Sequence, residues 1–227
     1  MNDVPRLSVD IVSDVMCPWC IIGWLKFEKV MAHFEGRLAF RVQWHPFELN
    51  PDMPPEGEDA AAHVMRKYGI SAEQSRANSG RLAEVAADLG FAFNRGPGFR
   101  MRNSFDAHRL LGWAGALEEP EQESATGVQT ALKLALFRAH FTDNHDVADH
   151  AVLADIAASV GLDRNRAAML LASDDYAEMV RIDEAYWVER NITGVPAFIL
   201  DGRMLVPGAQ DPEVFIRVIE NKVLAAA

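Results

Sequence analysis

Cysteine is scarce in this sequence: Cys17 and Cys20 are the only two among 227 residues, so a scaffold of several disulfides is excluded. No apolar run reaches the 18 or so residues of a membrane-spanning helix. The opening stretch is broken by Asp3, Pro5, Arg6, Asp10 and Asp14. It lacks the long apolar core of a signal peptide, and a cytosolic chain is expected. Positive charge is also short, with 22 Lys and Arg against 33 Asp and Glu and a formal net charge of −11. Such a chain repels phosphate backbones and anionic lipid, and no basic patch offsets this, so neither nucleic acid nor membrane is an expected partner. What remains is a globular composition, 49% hydrophobic and 24% charged, long enough for one large domain or one domain with an insert.

The N-terminal part reads as strand, helix, strand. Apolar residues alternate in Leu7-Ser8-Val9-Asp10-Ile11-Val12 and again at Leu38, Phe40, Val42 and Trp44. Between them Trp24, Phe27, Met31 and Phe34 recur at helical spacing, and Gly36 can end that helix. The unit is βαβ, with parallel strands and a right-handed crossover. Near the C-terminus, Ala197-Phe198-Ile199-Leu200 and Arg203-Met204-Leu205-Val206 flank Asp201-Gly202, which predicts a hairpin closed by a two-residue turn. Asp211 can then cap a helix whose first residue is Pro212, giving ββα.

The middle reads as helical throughout, with no strand pattern. Its candidate inner faces are Ala61/Val64/Tyr68, Leu82/Val85/Leu89, Leu110/Trp113/Leu117, Leu134/Phe137/Phe141 and Leu153/Ile156/Val160. Breaks are expected at 50–57, 94–98, 118–123, 142–146 and 161–163. A further helix over 173–190, with Met179, Ile182 and Tyr186 on one face, leads back to the hairpin. Trp24, Trp113 and the methionines are read as core.

Cys17-Pro18-Trp19-Cys20 falls where the first strand hands over to the first helix. With Cys17 at the cap, Pro18 takes the first helical position and one sulfur lies over the free amides of Trp19 and Cys20. Hydrogen bonds and the positive helix end are worth on the order of 0.5–2 kcal/mol each, which predicts a Cys17 pKa of about 5–7 and an accessible thiolate. Cys20, one turn further in, suits a resolving thiol. Such a cycle needs no metal or organic cofactor. Two blander readings stay open: half of a zinc site, completed by histidine or carboxylate, and an inert structural disulfide. The spacing of His140, His145 and His150 does not match one helix face. Asp14 reads as a loop or capping carboxylate, or as a proton acceptor for Cys20. Asn103 can cap a helix with Asp106 returning to the cap amide.

Four separated motifs carry a resemblance to a known family. They are Ser13-Asp14-Val15-Met16-Cys17-Pro18-Trp19-Cys20, Trp44-His45-Pro46-Phe47-Glu48-Leu49-Asn50-Pro51, Asn103-Ser104-Phe105-Asp106-Ala107-His108-Arg109-Leu110 and Gly208-Ala209-Gln210. Together with Thr193-Gly194-Val195-Pro196 before the final ββα, the chain resembles the DsbA family of thioredoxin fold. Within it, the motifs are similar to the FrnE-like branch, whose members are often named after 2-hydroxychromene-2-carboxylate isomerase.

The resemblance implies an α/β thioredoxin-like domain over 1–55 and 173–227, interrupted by a helical insertion over 56–172. It implies a cis peptide bond between Val195 and Pro196 beside the dithiol, whereas a proline at a strand start needs none on its own account. Cys17 is then the nucleophile and Cys20 the resolving thiol, with Pro18, Trp19, Val195, Pro196 and Asn103 as candidate substrate-binding residues. The implied function is disulfide exchange with protein or peptide thiols, as a monomer or homodimer. Glutathione is a candidate co-substrate. The alternative is a glutathione-dependent isomerase or transferase, although that related branch typically carries Ser at the position of Cys17. Pro18-Trp19 departs from the Pro-His pair of strongly oxidising periplasmic members, so a less oxidising couple is expected.

Overall fold

A computed structural model describes residues 4–96, 98–118, 127–222 and 224. Strand β1 (Arg6–Ser13) runs parallel to β2 (Ala39–Pro46), in register from Arg6 with Ala39 to Ser13 with Pro46. Helix α1 (Pro18–His33) makes the crossover and buries Trp24, Phe27 and Val30 on the sheet. Strands β5 (Ala197–Leu200) and β6 (Met204–Pro207) form the hairpin, and β5 lies antiparallel to β1. The sheet order is β2-β1-β5-β6. Helix α9 (Pro212–Lys222) brings Phe215 to within 5.3 Å of Phe27, ring centre to ring centre. Phe27 also meets Phe40 and Phe198 at 5.7 and 5.4 Å, so one aromatic joins both helices to the sheet.

The hairpin corrects one expectation. Leu200 pairs with Met204, which leaves Asp201, Gly202 and Arg203 in the connection. Asp201 and Gly202 both have positive φ, 54° and 64°, and the Arg203 amide donates to the Leu200 carbonyl at 3.1 Å. This is the mirror-image turn that Asp-Gly favours, with Arg203 as one extra residue. The expected Asp211 cap also differs: the Val214 amide reaches the Asp211 backbone carbonyl, and the carboxylate accepts Lys26 Nζ at 2.7 Å instead.

Between β2 and β5 lie α2 (Ala60–Tyr68), α3 (Ala72–Asp88), α4 (Phe105–Ala116), α5 (Val128–Phe141), α6 (His150–Ser159), α7 (Arg164–Leu171) and α8 (Ala177–Glu189). Two short strands, β3 (Glu58–Asp59) and β4 (Arg100–Met101), pair antiparallel, so the middle is not free of strands. Two residues are too few to show alternation. Leu110, Trp113, Leu132, Leu136, Leu153 and Leu171 form a second core under α4 to α7. Of the expected break at 118–123, residues 119–123 lie outside the described residues.

Some expected inner faces point outward. Tyr68 is 62% exposed, and α2 turns His63 inward, held by Glu58 at 2.7 Å and Asn50 at 2.9 Å. On α8, Met179, Ile182 and Tyr186 are exposed and Val180 and Trp187 are buried; the helix starts at Ala177, later than expected. Leu117, Met169 and Met179 likewise fall outside the core.

Candidate active site

Cys17 is the residue before α1, with an extended backbone at φ −92° and ψ 112°, and Pro18 opens the helix. The local geometry is the one the sequence predicts, but the sulfur does not cap the helix amides. Both cysteines are free thiols. Instead the Cys17 S–H donates to the Val195 carbonyl at 3.6 Å. The Val195–Pro196 peptide is cis. The Gly208 amide donates to the Pro196 carbonyl at 2.7 Å, and the 208–210 segment is itself held by Lys26 Nζ, which donates to the Ala209 carbonyl at 3.1 Å. The 208–210 motif therefore fixes the loop that faces the sulfur.

Two expectations about Cys17 fail. It is 4% exposed rather than open to solvent. Its pKa is raised well above the usual thiol value, first by the adjacent Cys20 thiol, then by burial and by the charges of Cys20 and Asp14. The Cys20 amide draws it down, but less strongly than any of these raise it. The second sulfur, burial and the buried carboxylate outweigh the cap amide and the helix end. Around the dithiol, Pro18 is half-buried and Trp19 is 46% exposed.

Asp14 is buried, and its two oxygens accept the amides of Met16 at 3.0 Å and Leu49 at 2.7 Å. Burial works to raise its pKa, but His108 and these amides outweigh it and hold the carboxyl below the usual range. It is an ionised loop anchor and a poor proton acceptor. Leu49 belongs to the second motif, which joins the layers throughout. The Trp44 backbone is clamped on both sides by the Gln129 amide, and Trp44 Nε1 donates to Thr130 at 3.0 Å. His45 bridges Asp10 at 3.0 Å and Asp183 at 2.9 Å.

Asn103 makes the expected cap contact with a free helix amide, but the return from Asp106 is absent. Ser104 precedes the helix, and Asn103 Oδ1 accepts the Phe105 amide at 2.9 Å. Asp106 turns away from the cap to Arg109 and His150, each at 2.7 Å. Arg109 is buried and further engaged by the carbonyls of Asp175, Leu170 and Ser173. Asn103 lies one residue from Arg102, whose amide donates to Met16 Sδ at 3.3 Å, so the third motif abuts the dithiol loop.

Lys133 lies outside every sequence motif of the site. It is fully buried on α5, its ammonium donating to the Ser13 carbonyl at 3.3 Å and standing 5.5 and 5.1 Å from the Trp44 and Phe137 rings. Burial lowers its pKa to about 8, while Cys20, Asp14 and Cys17 hold it up. The signal was present: Lys133 falls on the stripe of Gln129, Leu136, Phe137 and His140, a cation at a core position of an amphipathic helix. Among the described residues no cluster of His, Cys, Asp and Glu suited to a metal occurs, and no helix is long and apolar enough to cross a membrane.

The family model for a DSBA-like thioredoxin domain matches residues 8–220. A structure described as a "probable DsbA oxidoreductase", SCO1869 from Streptomyces coelicolor, is 34% identical with a TM-score of 0.83, over 94% of this chain and 88% of that one. YwbO of Bacillus subtilis (strain 168) is 27% identical over 95% of this chain and 97% of its own. The cytosolic disulfide reductase DsbM from Pseudomonas aeruginosa is similar in fold, 19% identical with a TM-score of 0.64 over 97% of this chain and 100% of that one. DsbM has also been solved with GSH.

Proposed function

Because the chain belongs to the DSBA-like thioredoxin family, we propose that it exchanges disulfides with protein or peptide thiols through Cys17 and Cys20. The observation that carries this reading is the placement of a free dithiol at the entrance of α1, with Cys17 Sγ 3.6 Å from the Val195 carbonyl. A substrate disulfide entering there meets the nucleophile beside a fixed backbone edge. Cys17 attacks one substrate sulfur and its S–S bond breaks. Cys20 then attacks the Cys17 sulfur and releases the second substrate thiol. Two electrons and two protons leave the dithiol for the substrate, without a metal or organic cofactor.

The raised Cys17 pKa favours the reducing direction. A dithiol that holds its protons gains little from ionising, so its reduced form is less stabilised than that of an acidic dithiol. A reductase or isomerase in a reducing compartment, the cytoplasm, fits this chemistry. Glutathione fits as a small thiol partner, consistent with the GSH-bound structure of DsbM. Pro18, Trp19, Val195, Pro196 and Asn103 are the candidates for meeting a substrate, a reading supported at Val195 by the contact of its carbonyl with the Cys17 thiol.

Insulin reduction by wild type, Cys17→Ser and Cys20→Ser tests the reading. Cys17→Ser is expected to lose activity, and Cys20→Ser to accumulate mixed disulfides on Cys17. Full activity in Cys17→Ser overturns it.

A further inference from the structure

Arg95 stands out as a cation with no anion. Its guanidinium carbon lies over the rings of Phe93, Phe141 and Phe99 at 4.8, 5.2 and 5.6 Å. Its Nε is buried without a hydrogen-bond partner, and among the described residues it makes no ion pair. The other arginines of the same segment are engaged. Arg100 donates to the carbonyls of Glu56 and Gly57, and Arg102 pairs with Asp146 at 2.9 Å. Burial lowers the Arg95 pKa to about 10, and the Cys17 sulfur is the one influence opposing it. Phe99 and Phe141 belong to the same buried cluster as Cys17 and Cys20. A desolvated, unpaired cation is costly, and 33 acidic residues were available to pair with it.

We propose that Arg95 is the carboxylate-binding subsite of the dithiol centre, selecting small disulfides that carry free carboxylates. This rests on the disulfide-exchange reading and names its substrate class. The three phenylalanines pack against the guanidinium without using its N–H donors, which are left for an incoming anion. On a chain of net charge −11, a cation whose field reaches the Cys17 sulfur, held on rings of the same buried cluster, favours the approach of an anionic disulfide. Cys17 takes one half of that disulfide in a mixed disulfide and the other half leaves as a thiol. Attack by Cys20 then frees the first half, so the dithiol loses two electrons and two protons and the substrate gains them.

The test compares two oxidants on pre-reduced protein in single turnover: glutathione disulfide, which carries carboxylates, and uncharged hydroxyethyl disulfide. Arg95→Gln is expected to slow glutathione disulfide about tenfold more than hydroxyethyl disulfide, with Arg95→Lys recovering part of the difference. Because both oxidants meet the same variant, a general loss of folding cancels. Calorimetric binding of S-methylglutathione, which cannot exchange, is expected to weaken about tenfold in Arg95→Gln. An unchanged ratio of the two rates, or equal S-methylglutathione affinity in wild type and Arg95→Gln, overturns the subsite. Oxidation that persists in Cys17→Ser overturns the disulfide-exchange reading, and the binding experiment still decides the subsite.

Discussion

Gly23, one turn beyond Cys20 on α1, leaves room for Pro196: a Cβ at this position would lie 3.0 Å from the proline Cγ and 3.3 Å from the Phe198 ring. Neither ring can swing aside without moving β5. Gly23→Ala gains about 1 kcal/mol in helix propensity but overpacks a filled interface at a cost of about 1–3 kcal/mol. A net loss of about 1 kcal/mol is expected in urea unfolding. Displacement of the Pro196 loop also separates Val195 from Cys17, and faster alkylation of reduced Cys17 is expected in the same variant.

Cys20 is the largest influence raising the Cys17 pKa. When one sulfur of a close pair is ionised, the other retains its proton. Cys20→Ala removes that partner but keeps the cap position and the Cys20 backbone amide. The remaining thiol is expected to titrate at lower pH than the second step of the wild-type dithiol, read from ultraviolet thiolate absorbance.

The framework was legible because its signals are local. Alternation marked β1 and β2, and Asp201-Gly202 marked the hairpin. The dithiol and Val195-Pro196 could be found by motif. What escaped depends on partners distant in sequence. Asp14 meets Leu49 and His108, and Lys133 meets Ser13 more than a hundred residues away, so the electrostatics at Cys17 could not be read from its neighbours. The outward faces of α2 and α8 failed for a related reason. On α2 a polar residue, His63, finds both its partners inside and takes the inner position, and periodicity alone gives no hint of that.

His45 links β1, β2 and α8 through Asp10 and Asp183. Burial pulls its pKa down, but the two carboxylates prevail and raise it to about 9. The folded value lies above the unfolded value of about 6.5, so the stabilisation is fully present below that pH and is lost as pH rises through about 9. Its size is on the order of 3 kcal/mol. Wild type is expected to lose stability across this interval in urea unfolding, and His45→Gln to show a flatter profile with lower stability at neutral pH.

Lys133 has the opposite sign. Burial lowers its folded pKa to about 8, below the unfolded value of about 10.4, so at neutral pH the ammonium is carried into the core at a cost. The folded state recovers that cost only as pH rises from about 8 towards 10 and the unfolded chain alone keeps the proton. Lys133→Met, similar in volume and uncharged, is therefore expected to be more stable than wild type by about 1–3 kcal/mol near pH 7, a gain that shrinks in alkaline solution. The same change removes the cation that Cys20, Asp14 and Cys17 all act upon. Without it a thiolate beside ionised Asp14 is harder to form, and alkylation of the reduced dithiol at neutral pH is expected to slow several-fold. A more stable protein with a slower dithiol separates an electrostatic role from a packing role, because lost packing would lower stability and leave the sulfur chemistry unaltered.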